Sequence, residues 1–284
     1  MSTHTCFDVD VSNKIAHLEM CRPERANSMI PEFWSELPEI IEEISAGSDA
    51  RVIVISAQGR HFCSGMDLSV FGGESAIATS AGGGGGHLSR NRASFRDTVL
   101  KLQQSFSCME DSRLPVLAAI QGACIGGGLD MTSACDMRYA TEDAFFSIHE
   151  INIGMTADVG TLQRMPKLVP EGVVREMAYT GRRMDAAEAR ERGFVNDVFA
   201  DHDSMMSGVM EVATEIASKS PMAVSGTKRS INYSRDHSVA DGLDYIATWN
   251  AAMFDTDDKD EAFMAQSEKR DAVFPDHRPV RGGI

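Results

Sequence analysis

"GACIGGGLDMTSACD", residues 122–136, places four glycines in its first seven positions and then an acid, Asp130, among small and apolar residues. The apolar run "PVLAAIQG" (115–122) ahead of it reads as a buried strand, so Gly126, Gly127 and Gly128 fall where a strand turns into a helix. Glycine permits backbone conformations and close approaches that a Cβ forbids. The start of the helix adds unpaired N–H groups and the positive end of its dipole. Together these make a site for negative charge, whether a phosphate or an oxyanion that develops during a reaction. A tight strand–helix turn with no ligand accounts for the glycines as well. The segment is not a dinucleotide-binding fingerprint in context, and no Lys-Ser/Thr follows to make a P-loop.

Outward from this stretch the chain alternates. "KIAHLEM" (14–20) and "RVIVISA" (51–57) are further short apolar runs bounded by turn residues, and they read as strands. "IPEFWSELPEIIEEISA" (30–46) and "ASFRDTVLKLQQSFSCMED" (93–111) have helical spacing, the second with Phe95, Val99, Leu102, Phe106 and Met109 on one stripe. The alternation predicts an α/β fold with partly parallel, buried strands. From about residue 185 the pattern is mainly helical: "DAAEARERG" (185–193), "MMSGVMEVATEIASKS" (205–220) and "VADGLDYIATWNAAMF" (239–254). "DTDDKDE" (255–261) reads as a solvated acidic run. "GGESAIATSAGGGGGHLSRNR" (72–92) has no periodicity and is expected to be a mobile loop, either a functional lid or plain disorder.

At 284 residues and 43% hydrophobic content the chain can bury a sizeable core. With 27 Lys+Arg against 42 Asp+Glu its net charge is −15, which repels phosphate backbones and argues against nucleic-acid binding. Six scattered cysteines without a CxxC pair read as reduced, cytosolic-type usage. Neither a leader, nor a peroxisomal C-terminal address, nor a membrane-spanning apolar run is evident, so a cytosolic and bacterial setting is expected. The eight histidines show no ligand spacing and no metal site is expected. Cys124 and Cys135 read as small core residues rather than nucleophiles, and the 17 methionines suit either an adaptable acyl channel or ordinary core filling.

A second strand-to-turn stretch, "GRHFCSGMDLS" (59–69), suggests that two turns aim two backbone N–H groups at one carbonyl oxygen. "HFCSGMDLS", "AIQGACIGGGLDMTSACDMRYA" and "FFSIHEINIGMTADVGTLQRMPKLV", in this order, resemble the signatures of the crotonase (enoyl-CoA hydratase/isomerase) superfamily. "RPERANSM" (22–29) is similar to that family's early acyl-CoA-binding turn, and "TGRRMDAAEARERGFVNDVF" (180–199) to a later helix-and-strand segment. The resemblance spans roughly residues 10–265. It implies a spiral of repeated ββα turns over 1–200 carrying the acyl-CoA site, and a C-terminal helical region over 201–284 that trimerises, as a homotrimer or a dimer of trimers. It implies an acyl-coenzyme A thioester as substrate and no separate cofactor. The thioester carbonyl would lie between the N–H groups of Met66 and Gly127, the oxyanion hole, with Ala26, Ser64, Gly65, Asp67 and Gly126 lining the bound substrate.

Three acids then bear on the reaction. Asp130, read alone, is a helix-start acid favoured by the dipole; the resemblance places it where hydratases carry a water-handling Glu. Glu150 is a strand-end surface carboxylate or, by resemblance, the family's second catalytic acid. Asp158 is an N-cap for a helix beginning near Val159, or an additional acid where hydratases usually have glycine. A base at one carbon and an acid at a distant one suit the movement of a double-bond system without water. The set Asp130, Glu150 and Asp158 resembles the Δ3,5-Δ2,4-dienoyl-CoA isomerase branch, which carries a proton from C2 to C6 in fatty-acid β-oxidation. On this reading one of Glu150 and Asp158 is ionised and the other protonated, in an order the sequence leaves open; Asp158 is taken to act at C2 and Glu150 at C6, with Asp130 supporting them. A 2-enoyl-CoA hydratase using Asp130 and Glu150, and a non-catalytic acyl-CoA binder, are the alternatives. His149 either tunes Glu150 or is a packing or surface residue.

Overall fold

The computed structural model describes residues 4–67, 70 and 88–280. Its strands are β1 (Phe7–Ser12), β2 (Ile15–Met20), β3 (Val52–Ala57), β4 (Val116–Ile120), β5 (Ala123–Ile125), β6 (Met137–Thr141), β7 (Phe145–Ser147), β8 (Arg183–Asp185) and β9 (Asp197–Phe199). Its helices are α1 (Phe33–Ala46), α2 (Leu88–Asp111), α3 (Gly127–Ser133), α4 (Thr161–Arg164), α5 (Glu171–Thr180), α6 (Ala186–Glu191), α7 (His202–Ala217), α8 (Pro221–Ser234), α9 (Val239–Met253) and α10 (Thr256–Glu268).

All six residues of β3 are buried, because both faces of its sheet are covered. Alternation divides them: Ile53 and Ile55 face the cluster with Leu37 and Ile41 of α1 and Phe106 and Met109 of α2, while Val52 and Val54 face Met205, Val209 and Ala213 of α7. The large sheet runs β1-β2-β3-β4-β6-β9, parallel except for the β1–β2 hairpin at its edge. A small sheet, β5-β7-β8, stands beside it. Consecutive strands alternate between the two sheets: β4 enters the large one and β5 the small one, then β6 the large and β7 the small. This repetition with intervening helices is the ββα spiral, and four helices, α7 to α10, follow it between His202 and Glu268.

Several boundaries differ from expectation. The helix expected over 93–111 begins at Leu88, so residues 88–92 of the Gly-rich stretch are helical; its remainder, 72–87, lies outside the described residues. α8 was not signalled by periodicity, because its buried positions are Pro221, Ser225, Gly226 and Lys228 rather than an apolar stripe. Lys228 anchors it, donating to the Met109 and Leu114 carbonyls and to Asp136 at 2.6–2.8 Å. The acidic run 255–261 is not uniformly solvated: Asp255 caps α10, and Asp258 is buried against the Ser220 hydroxyl. Among the described residues no helix is long and apolar enough to cross a membrane.

Candidate active site

β5 is followed by Gly126, whose φ of 54° and ψ of −124° turn the chain sharply into α3. Its carbonyl accepts the N–H groups of Leu129 and Asp130, which starts the helix. At Gly127 a Cβ would fall 2.8 Å from Met29 Sδ and 3.7 Å from the Met66 nitrogen, so glycine is required for the two turns to touch. The neighbouring turn is held against β5 by ladder bonds from Cys63 N–H to the Ala123 carbonyl and from Ile125 N–H to the Cys63 carbonyl. Further on, Met29 N–H donates to the Gly65 carbonyl and Asp67 N–H to the Met29 carbonyl. This bridge consumes the groups on either side of Met66 and leaves its own N–H over. Among the described residues, neither the Met66 nor the Gly127 N–H has a hydrogen-bond acceptor.

These two N–H groups open onto a cavity of about 510 Å³, lined also by Ser64, Gly65, Asp67, Gly126, Asp130, Glu150 and Asp158. Asp130, in the first turn of α3, is fully buried. Its Oδ1 accepts the Thr161 N–H at 2.6 Å, and its Oδ2 has no partner. Burial pushes its pKa up to about 6, with the Thr161 side chain and N–H opposing and Asp158 adding to the rise. Glu150 opens a 3-10 turn, Glu150–Ile153, and its Oε2 is buried without a partner. Burial, then repulsion from Asp130 and Asp158, raises its pKa to about 7, against opposing backbone hydrogen bonds. Asp158 is half-buried, and burial raises its pKa above the ordinary carboxylate value.

Asp158 is not a helix cap. The helix starts at Thr161 behind Gly160, no side chain caps it from that position, and the Thr161 N–H is occupied by Asp130. Asp158 lines the cavity. A cavity with two unpaired N–H groups and buried carboxyls whose proton affinity is raised can stabilise an oxyanion and move a proton between two carbons.

Nine of the ten residues singled out for the site line this one cavity. Ala26 does not. It sits at φ 48° after a 3-10 turn, and its carbonyl accepts the Ser64 N–H, so it shapes the wall through the backbone. Arg25 and Ser28, inside the same quoted motif, do line it, as do Ile153, Met155 and Val159 of the quoted stretch 145–169, which were not singled out, and Trp34, which lies outside the family motifs. Ser28 Oγ donates to Asp67 at 2.8 Å. His149 is exposed and its Nδ1 meets Asn152. Cys124 and Cys135 are free and buried, their thiols raised by burial. A groove of about 570 Å³ beside β1 and α1 has only exposed acids, Asp8, Glu43 and Asp49, and no such chemistry.

The sequence profile described as Enoyl-CoA hydratase/isomerase matches residues 10–277. The mitochondrial Delta(3,5)-Delta(2,4)-dienoyl-CoA isomerase of Mus musculus is 43% identical over 95% of this chain and 83% of its own length. The peroxisomal enzyme of the same name from Arabidopsis thaliana is 42% identical over 93% of this chain and 94% of its own. Among solved structures, the enoyl-CoA hydratase from Bacillus anthracis superposes with a TM-score of 0.83 at 28% identity, covering 95% of this chain and 99% of that one.

Proposed function

The chain belongs to the enoyl-CoA hydratase/isomerase family, and we propose that within it the protein converts a 3,5-dienoyl-CoA to a 2,4-dienoyl-CoA by moving a proton from C2 to C6. The observation that carries this reading is that Asp158, which caps no helix, lines the same cavity as Glu150 and adds to the rise of its pKa. The names of the mouse and Arabidopsis relatives support it.

The thioester carbonyl accepts from the Met66 and Gly127 N–H groups, which acidifies C2. Asp158 takes the C2 proton, and the electron pair spreads through the diene to the thioester oxygen, C4 and C6. Glu150 then gives its proton to C6, leaving double bonds at C2 and C4. Glu150, raised to about 7 chiefly by burial, retains a proton over part of the neutral range and suits the donor, while Asp158, also raised by burial, acts on this reading in its ionised form. Asp130 stands against the Thr161 N–H and keeps the Asp158 segment against the oxyanion helix.

The substrate supplies the coenzyme A and no further cofactor enters the scheme. A role in the breakdown of unsaturated fatty acids and a cytosolic setting follow as parts of the same proposal. Assembly as a homotrimer or dimer of trimers is supported by the apolar side chains that the C-terminal helices leave exposed, among them Leu243 at 64%, Phe254 at 60% and Phe263 at 65%. The test is a comparison of substrates. With 3,5-dienoyl-CoA the conjugated 2,4-dienoyl absorbance should rise; with crotonyl-CoA, hydration should be slower by orders of magnitude. Fast hydration without isomerisation would make the protein a hydratase, and binding without either reaction a carrier.

A further inference from the structure

The segment bearing Asp158 has little structure of its own: α4 begins three residues later and is one turn long. Its backbone is instead held from behind the cavity wall. Gln103 of α2 donates Nε2 to the Asp158 carbonyl at 2.7 Å. Arg164 donates Nη1 to the Val159 carbonyl at 3.3 Å. The guanidinium lies against the backbone, since a Cβ on Gly160 would fall 1.7 Å from that nitrogen.

Arg164 is in turn fixed. It pairs with Glu110 Oε2 at 2.7 Å and reaches Ser107 Oγ at 3.1 Å, with its side chain only 12% exposed. The other oxygen of Glu110 pairs at 2.6 Å with Arg235, which follows α8. Asn232 of the same helix donates to the Glu110 carbonyl at 3.1 Å, and Lys167 pairs with Asp236 alongside. An isolated surface ion pair contributes little, but a half-buried carboxylate shared by two guanidinium groups has its geometry determined from both sides.

We propose that Gln103 and Arg164 are positioning residues that set the Asp158 carboxyl through the Asp158 and Val159 carbonyls, and that Glu110 ties this setting to Arg235 and the C-terminal helices. The inference rests on the proposed isomerisation, in which Asp158 must meet C2. The carbonyl of a residue and its side chain share one Cα, so releasing the carbonyl lets the carboxyl drift, and a misplacement of about 1 Å costs on the order of 100-fold in rate. Substrate affinity is set elsewhere, at the coenzyme A moiety and the two N–H groups.

The experiment is Gln103→Met, which keeps length and removes the donor, with Arg235→Gln as a second, partly exposed variant. Steady-state kinetics on 3,5-dienoyl-CoA, binding of a saturated acyl-CoA and thermal melting are measured for each. For Gln103→Met, kcat should fall about 10- to 100-fold with KM and saturated acyl-CoA affinity within about twofold of wild type. Arg235→Gln should lower kcat in the same direction, by about threefold, without loss of melting temperature. An active wild type with unchanged kcat in Gln103→Met overturns this inference alone. So does a fall in kcat that comes only with weakened binding and a lowered melting temperature in both variants, which marks a merely structural contact. A wild type with no isomerase activity overturns the proposed reaction and takes this inference with it.

Discussion

Asp130 offers a quantitative test that does not depend on turnover. Burial lifts its carboxyl from an ordinary value of 3.8 to about 6. Because the folded-state value lies above the unfolded one, the fold favours the neutral acid. That contribution is fully present below the unfolded pKa and is lost as pH rises through about 6. A rise of this size corresponds to roughly 3 kcal/mol between the two protonation states. Asp130→Asn removes the titration while leaving an oxygen to accept the Thr161 N–H. The amide placed at the unpartnered Oδ2 position has its own cost, about 1–3 kcal/mol, but that cost does not vary with pH. The clean quantity is therefore the change in the variant-minus-wild-type difference, not its absolute value. Denaturant unfolding at one fixed protein concentration, at pH 4 and pH 8, should show the variant gaining on the wild type by about 2.5 kcal/mol between the two. A difference flat to within about 0.5 kcal/mol would mean that the carboxyl is not desolvated in the fold, and the electrostatic basis of the site would fail with it.

Other outcomes follow from the same geometry. Gly127→Ala places a methyl 2.8 Å from Met29 Sδ and 3.7 Å from the Met66 nitrogen, so kcat should drop about 100-fold or more while coenzyme A binding persists; steady-state kinetics check this. Glu150 must carry a proton to act at C6, so kcat should fall as pH rises through its value of about 7, and Glu150→Gln should abolish turnover rather than move that limb. Asn27, buried with Nδ2 donating to the Gln58 and His61 carbonyls and Oδ1 accepting the Arg22 N–H, shapes the turn that carries Arg25 and Ser28. Asn27→Ala should destabilise the protein by about 2–4 kcal/mol in a denaturant titration.

Strands β2, β3 and β4 were legible because burial on both faces turns them into continuous apolar runs between turn residues. α7 was legible from its stripe, whereas α8 was not, since a buried lysine satisfied by carbonyls leaves no apolar period to read. In the site, the acids and glycines could be found because each sits in a short, chemically distinctive segment. Gln103 and Arg164 could not. They act on backbone carbonyls more than 50 residues from Gln103 and five from Arg164, and no residue type or spacing signals such a bond. The reading of Asp158 as a helix cap likewise failed for a reason outside its own segment: the Thr161 N–H is taken by a carboxylate 31 positions earlier.

The proposed chemistry hangs on what position 158 does to a bound dienoyl thioester. Asp158→Asn should keep the thioester in place with affinity close to wild type, yet lose isomerisation by roughly 100- to 10,000-fold, the range a positioned proton-transfer group contributes. Turnover by that variant at close to the wild-type rate would contradict it.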